Sequence, residues 1–227
     1  MPVTIPGAPC AQCEGHGLSP FEKIISIGVL KDPLKSLIHR MKYEHRWALA
    51  ERLADRLFFR PDVQAILKQV EVLVPVPLHR QRQRERGYNQ AEVIARRLCK
   101  VFNSPGRKAG DRMAGDNDSP IDPRPFGPGC QRSSKLTVIR AARRIRPTET
   151  QTHLHSRAQR TENLRDAFEL INPVAIEGKH IVLIDDVLTT GATLTSLARA
   201  LKPAKPACLS AFVLAVADPK GRAFEVI

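Results

Sequence analysis

Two adjacent aspartates and a hydroxyl-rich turn carry the most chemistry in this chain. Asp185 and Asp186 directly follow the apolar run Ile181–Ile184, and Thr189-Thr190-Gly191-Ala192-Thr193 comes two residues later. Paired carboxylates repel a phosphate. They suit the hydroxyls of a sugar, or a divalent cation shared between a sugar and its phosphates. The turn has the opposite preference. A glycine where a helix begins leaves backbone N–H groups pointing outward, and with threonine hydroxyls they make a cradle for one phosphate monoester. A ligand with a phosphate at one end and a diol close by satisfies both halves, as ribose 5-phosphate does. Any one of these residues could simply end a strand or cap a helix; the whole spacing is harder to explain that way. Rival phosphate motifs fail. Gly178-Lys179 lacks the upstream glycine of a nucleotide-triphosphate loop and precedes a strand, and no G-x-G-x-x-G follows one.

Such a constellation needs a strand to deliver the acids and a helix to open after the glycine. The run His180 to Ile184 reads as a buried strand, Gly191 to Leu201 as a helix stopped by Pro203, and Cys208 to Val216 as another apolar strand. Upstream, Ile24 to Leu30 reads as a strand. Asp32-Pro33 then starts a helix carrying Leu34, Leu37, Ile38 and Met41. A second helix is expected from about Arg46 to Phe59, a strand over Val70 to Val76, and a helix from Gly87 to about Val101. Strands alternating with helices predict an α/β fold with a mostly parallel sheet flanked by helices. Open sheets of that kind place ligands at the carboxyl ends of their strands, where the acids stand.

Charge and composition narrow the class. The 227 residues carry 36 Lys and Arg against 23 Asp and Glu, a net +13. Residues 80–160 hold 19 of the basic groups and 7 of the acids, so one segment carries nearly the whole excess. That suggests a polyanionic partner, nucleic acid or a phosphorylated metabolite, against the plain alternative of a solvated basic face. No apolar run reaches the roughly 18–20 residues that span a bilayer. Residues 1–20 lack the pattern of a signal peptide, and five cysteines make no disulfide framework, so a cytoplasmic protein is expected. Residues 103–134 hold five Gly, five Pro and only Met113, Ile121 and Phe126 as large apolar groups, which predicts a disordered insertion.

The Asp-Asp and Thr-Thr-Gly-Ala-Thr pattern resembles the phosphoribosyl pyrophosphate (PRPP) motif of type I phosphoribosyltransferases. More narrowly, Val74-Pro-Val-Pro-Leu-His79, Arg86-Gly-Tyr-Asn-Gln90, Thr148, Gln151, Arg157, Asn163-Leu and Ala167-Phe168 resemble the ComF family, associated with competence and DNA uptake. The resemblance implies that Asp185 and Asp186 contact the ribose hydroxyls, directly or through Mg²⁺, and that Thr189, Thr190, Gly191, Ala192 and Thr193 hold the 5-phosphate. It also makes the turn after Val70–Val76 the pyrophosphate side, with at least one of Arg82, Arg84 and Arg86 engaged there. Catalysis, if present, would release pyrophosphate from C1 of the ribose, with Asp185 and Asp186 as the catalytic residues. The alternative is a non-catalytic module that holds single-stranded DNA for transformation, using Arg140, Arg143 and Arg144, in association with DNA-uptake machinery.

The expected organisation is a remnant of a Cys-rich module over 1–20, a strand-helix-helix extension over 21–70, and a phosphoribosyltransferase-like domain over 71–227. ComF relatives commonly carry several Cys-x-x-C pairs at their N-terminus. Here Cys10-Ala-Gln-Cys13 stands with only His16 as a third ligand, short of the four that a structural zinc wants, so no zinc or other protein-held metal site is expected. His153 and His155 read as surface histidines rather than a metal pair.

Overall fold

The computed structural model describes residues 20–104, 135–146 and 167–217. Cys10, Cys13, His16, Thr148, Gln151, His153, His155, Arg157, Asn163 and nearly all of the 103–134 segment lie outside the described residues.

In chain order the elements are β1 (Ile24–Val29), α1 (Leu34–Tyr43), α2 (Trp47–Phe58), α3 (Pro61–Leu67), β2 (Val72–Pro75), α4 (Arg80–Arg86), α5 (Gln90–Asn103), β3 (Thr137–Val138), β4 (Ala142–Arg144), β5 (Phe168–Leu170), β6 (His180–Leu188), α6 (Ala192–Leu201) and β7 (Cys208–Val216). Five strands form one sheet in the order β1-β7-β6-β2-β3, and every pair in it is parallel. The strands β4 and β5 form a separate antiparallel ribbon. The expected α/β class with a mostly parallel, helix-flanked sheet is what the chain adopts.

Both faces of the sheet are covered, which is why β6 and β7 are apolar without alternation. On one face, Ile38 and Met41 of α1, Leu53 and Leu57 of α2, Ile66 of α3, and Ile94 and Leu98 of α5 pack on Leu73, Val182, Ile184 and Phe212. On the other, Leu194, Leu197 and Leu201 of α6 and Phe168 of β5 pack on Val72, Val74, Ile181, Leu183 and Val213. The pleat sends alternate residues of β2 and β6 to opposite clusters. A bidentate ion pair, Arg97 to Asp55 at 2.7 Å for both nitrogens, ties α5 to α2.

Three features go beyond the expected organisation. The segment 21–70 supplies a strand of the central sheet, β1, hydrogen-bonded along β7. Helix α3 was not foreseen: its seven residues give too short an apolar period, and Pro61 at its first turn is its main signal. The arginine run is not an open turn. It forms α4, ended by Gly87 in the left-handed region at φ 73°. The next helix therefore starts at Gln90, capped by Asn89, whose side chain accepts from the Ala91 N–H at 3.0 Å and donates to the Val76 carbonyl at 3.0 Å.

His180 opens β6 fully buried, with its Nε2 3.4 Å from the Ser210 hydroxyl. Burial holds its imidazole below the usual histidine range. The folded state therefore binds fewer protons than the unfolded state below about pH 6.5, so this residue costs stability as pH falls through that value. Thermal melts at pH 5.5 and 7.5 should show His180→Gln losing less stability on acidification than the parent. Equal losses would place the pH sensitivity elsewhere.

Candidate functional site

The sheet reverses direction of growth between β2 and β6. From β2 the chain moves outward to β3, then returns to β6 and β7 on the opposite side. At such a switch point the loops after the two strands part and leave a crevice. The pairing shows where it opens: β2 leaves β6 at Pro75 opposite Ile184, with a last bond from the Val76 N–H to the Ile184 carbonyl at 2.9 Å. Strand β6 continues along β7 through Leu188. Asp185 and Asp186 thus sit on a strand paired on one side only, with the β2 side open to the crevice.

The two acids differ. Asp185 is partly exposed as a residue, and its carboxyl accepts the Asp186 backbone N–H at 2.8 Å. Burial, and secondly the charge of Asp186, push it up to about 7. Asp186 instead meets an ammonium, Lys42 Nζ at 2.9 Å from its Oδ1. Lys42 lies in the last turn of α1, held down by the Tyr88 hydroxyl, which donates to the Met41 carbonyl.

The turn after β6 makes the second half of the site. Gly191 caps α6 at φ 76°, and having no side chain it makes no cap bond of its own. Only glycine adopts this φ without strain, so the tight entry into α6 depends on it. The Thr190 hydroxyl approaches the Ala192 N–H at 3.4 Å. Thr189, Thr190, Ala192 and Thr193 are all partly exposed around the buried Gly191. An oxyanion here meets outward N–H groups, hydroxyls and the positive end of a ten-residue helix.

The structure separates the arginines. Arg144 on β4 is largely buried against the site. Burial lowers its guanidinium, while the Asp185 charge raises it and Arg82 lowers it, so Arg144 stands within the field of both. Its guanidinium also stacks 5.5 Å from the Phe168 ring centre. Arg82 on α4 pairs with Glu85 at 2.7 Å; Arg84 is exposed; Arg86 turns toward Tyr43 and Gln90. Arg140 and Arg143 are exposed and already hold Glu92 at 2.7 Å and Glu169 at 2.9 Å. Arg144 therefore does not share a free surface with Arg140 and Arg143, as their clustering in sequence suggested.

Lys42 and Arg144 are the site residues that spacing did not identify. Each comes from an element far from the Asp-Asp motif in sequence. The motif Arg86-Gly-Tyr-Asn-Gln90 was a pointer to Lys42, since Tyr88 anchors the helix that carries it.

Among the described residues no cluster of His, Cys, Asp and Glu could hold a metal by itself. The acidic pair nevertheless fits Mg²⁺ brought by a phosphorylated sugar: two hard oxygen donors, one of them destabilised by the other's charge.

A parallel sheet with paired acids at its switch point and a glycine-led helix after them defines the phosphoribosyltransferase-like class. A family model described as "Phosphoribosyl transferase domain" matches residues 87–226. The chain is 30% identical over 205 residues to DNA utilization protein YhgH of Salmonella typhimurium, covering 88% of this chain and 74% of the relative. It is 27% identical over 197 residues to Competence protein F of Haemophilus influenzae, covering 85% and 72%. Competence protein ComFC of Bacillus subtilis is 28% identical over 197 residues, covering 83% and 62%. The chain belongs to the ComF family of phosphoribosyltransferase-like proteins.

Proposed function

We infer that this chain binds PRPP with a divalent cation in the cytoplasm and serves DNA utilization; for the last of these alone, the names of two relatives, DNA utilization protein and Competence protein F, offer support. One observation carries the reading: a single strand-turn-helix, β6 to α6, presents two carboxylates and then a glycine-led helix start, within one open crevice. Asp185 and Asp186 hold the ribose hydroxyls or the cation. The residues Thr189 to Thr193 hold the 5-phosphate. Mg²⁺, when bound, supplies charge neutralisation for the pyrophosphate. The position of Arg144 in the field of both Asp185 and Arg82 supports giving these two arginines the negative charge that would grow on a leaving pyrophosphate, an electrostatic contribution to transfer.

Isothermal titration of PRPP with Mg²⁺ tests the binding, and a pyrophosphate-release assay across bases tests turnover. Heat of binding without release would leave a PRPP-binding protein that does not transfer. No heat at all would refute the reading.

A second reading, a holder of single-stranded DNA, draws on one observation of its own. Tyr43 and Trp47 are each 54% exposed, and the Arg86 guanidinium lies 5.6 Å from the Tyr43 ring centre. Exposed rings beside cations stack bases, each base contributing roughly 1–3 kcal/mol. By contrast, Arg140 and Arg143 would first have to leave their acids. Trp47→Ala should therefore weaken binding of a labelled oligothymidine at least about fivefold by fluorescence anisotropy. Replacing Arg140 and Arg143 by Ala should change the salt slope by less than one phosphate's worth, about 0.7. The reverse ranking would return the nucleic-acid surface to the 140–144 segment.

A further inference from the structure

Lys42 is the charged group in the crevice that neither the strand-turn-helix nor the arginine run accounts for. Its ammonium lies 2.9 Å from Asp186 Oδ1, and the two side chains are only 20% and 13% exposed. Its position is enforced from both sides. The Met41 carbonyl accepts the Tyr88 hydroxyl; the Tyr43 ring is stacked against Arg86; His45 Nδ1 lies 3.1 Å from the Arg86 carbonyl oxygen. Arg86 is itself fastened, its Nη1 donating at 3.1 Å to Oε1 of Gln90, which is 1% exposed. Residues 41, 43 and 45 are thus all bound to the Arg86–Gln90 turn, and Lys42 stands between pinned neighbours with its head on the acid.

An ammonium and a divalent cation compete for one carboxylate oxygen, because they repel each other at contact distance. A bare metal ion that takes Asp186 Oδ1 must expel Lys42, and one that binds the neighbouring oxygens meets its charge at close range. The other charges acting on Asp185, apart from Asp186, are Lys42 itself and Arg144, and Arg82 acts on Arg144. All three are cations, so an expelled ammonium gains no new partner among them. A metal that arrives on a polyphosphate brings oxygens that can receive it.

We propose that Lys42 is a specificity-determining residue of the acidic pair: it excludes bare divalent metal and makes metal entry conditional on a phosphate ester that accepts its ammonium. The conditional half rests on the PRPP reading above; the exclusion does not.

The test uses the full chain and Mn²⁺ as the probe, with free Mn²⁺ read by electron paramagnetic resonance. Lys42→Met should bind Mn²⁺ alone at least about tenfold more tightly than the parent, while Lys42→Arg, which keeps the cation, stays as weak as the parent. Tyr88→Phe, which frees the Met41 carbonyl but keeps the lysine, should fall between. Adding PRPP should tighten Mn²⁺ binding by a larger factor in the parent than in Lys42→Met. Melting temperatures within a few degrees of the parent establish that each variant is folded. Equal or weaker Mn²⁺ binding by folded Lys42→Met overturns the proposal, as does a Lys42→Arg that behaves like Lys42→Met. If bare Mn²⁺ binding rises in Lys42→Met but PRPP changes nothing in either protein, the exclusion is upheld and the failure falls on PRPP as the ligand.

Discussion

Replacing Asp185 by Asn should make the ligand-free protein more stable while weakening PRPP binding about a hundredfold. The Asp185 carboxyl is pushed up to about 7 from the ordinary 3.8, so the folded state holds a proton that the unfolded state has released. Between those values the folded state binds more protons, and stability falls as pH rises. Above pH 7 the carboxylate is charged in both states, and the whole cost of burying it beside Asp186 is felt. Asn carries no such cost. Discounted for solvent at the open crevice and for the lost attraction to Arg144, the gain at pH 8 is about 1–2 kcal/mol. In a chain of this size that raises the melting temperature by about 2–6 °C. At pH 4 the difference should vanish. PRPP affinity with Mg²⁺ should fall about a hundredfold, equivalent to about 2.7 kcal/mol. Parallel melts and titrations decide it: a variant that is less stable at pH 8, or that binds PRPP as the parent does, removes Asp185 from the site. Its pH slope opposes that of His180 just below pH 6.5, so the two contributions are visible only in the separate variants.

Gly191→Ala should cost little stability and much binding. A Cβ at φ 76° is strained by about 1 kcal/mol, a loss of about 2–4 °C in melting temperature. The strain is relieved only by opening the turn that aims the first N–H groups of α6, so phosphate affinity should drop at least tenfold, about 1.4 kcal/mol. Gly178 provides a matched control. It has φ 65° and nothing within 4 Å of a built Cβ, and it precedes β6 at the end opposite the acids. Gly178→Ala should show the same small stability loss with PRPP binding intact. If both alanine variants bind alike, the left-handed turn at Gly191 is not what forms the cradle.

The run Ile181–Ile184, the acids after it and the glycine before α6 determined locally what they form. A continuous apolar strand needs both faces covered, and only a glycine enters α6 at that φ, so strand, turn and helix were legible in order. The alternation of elements likewise determined the parallel sheet. Tertiary structure decided the rest. Side chains of one arginine run went to three surroundings: Arg82 to Glu85 and the field of Arg144, Arg84 outward, Arg86 onto Gln90 and Tyr43. Helical phase turns Arg84 away, but Arg82 and Arg86 are four apart on one face and part only because different elements stand at the two ends of α4. Arg144 left its exposed neighbour Arg143 and was buried beside Asp185, since alternate residues of β4 face opposite ways. Lys42 met Asp186 only because β1 joins the sheet beside β7, sets α1 over the crevice, and lets Tyr88 hold it there. Local periodicity specifies which way a residue faces on its own element. It carries no information about which distant charge stands opposite, and that pairing is set by strand order.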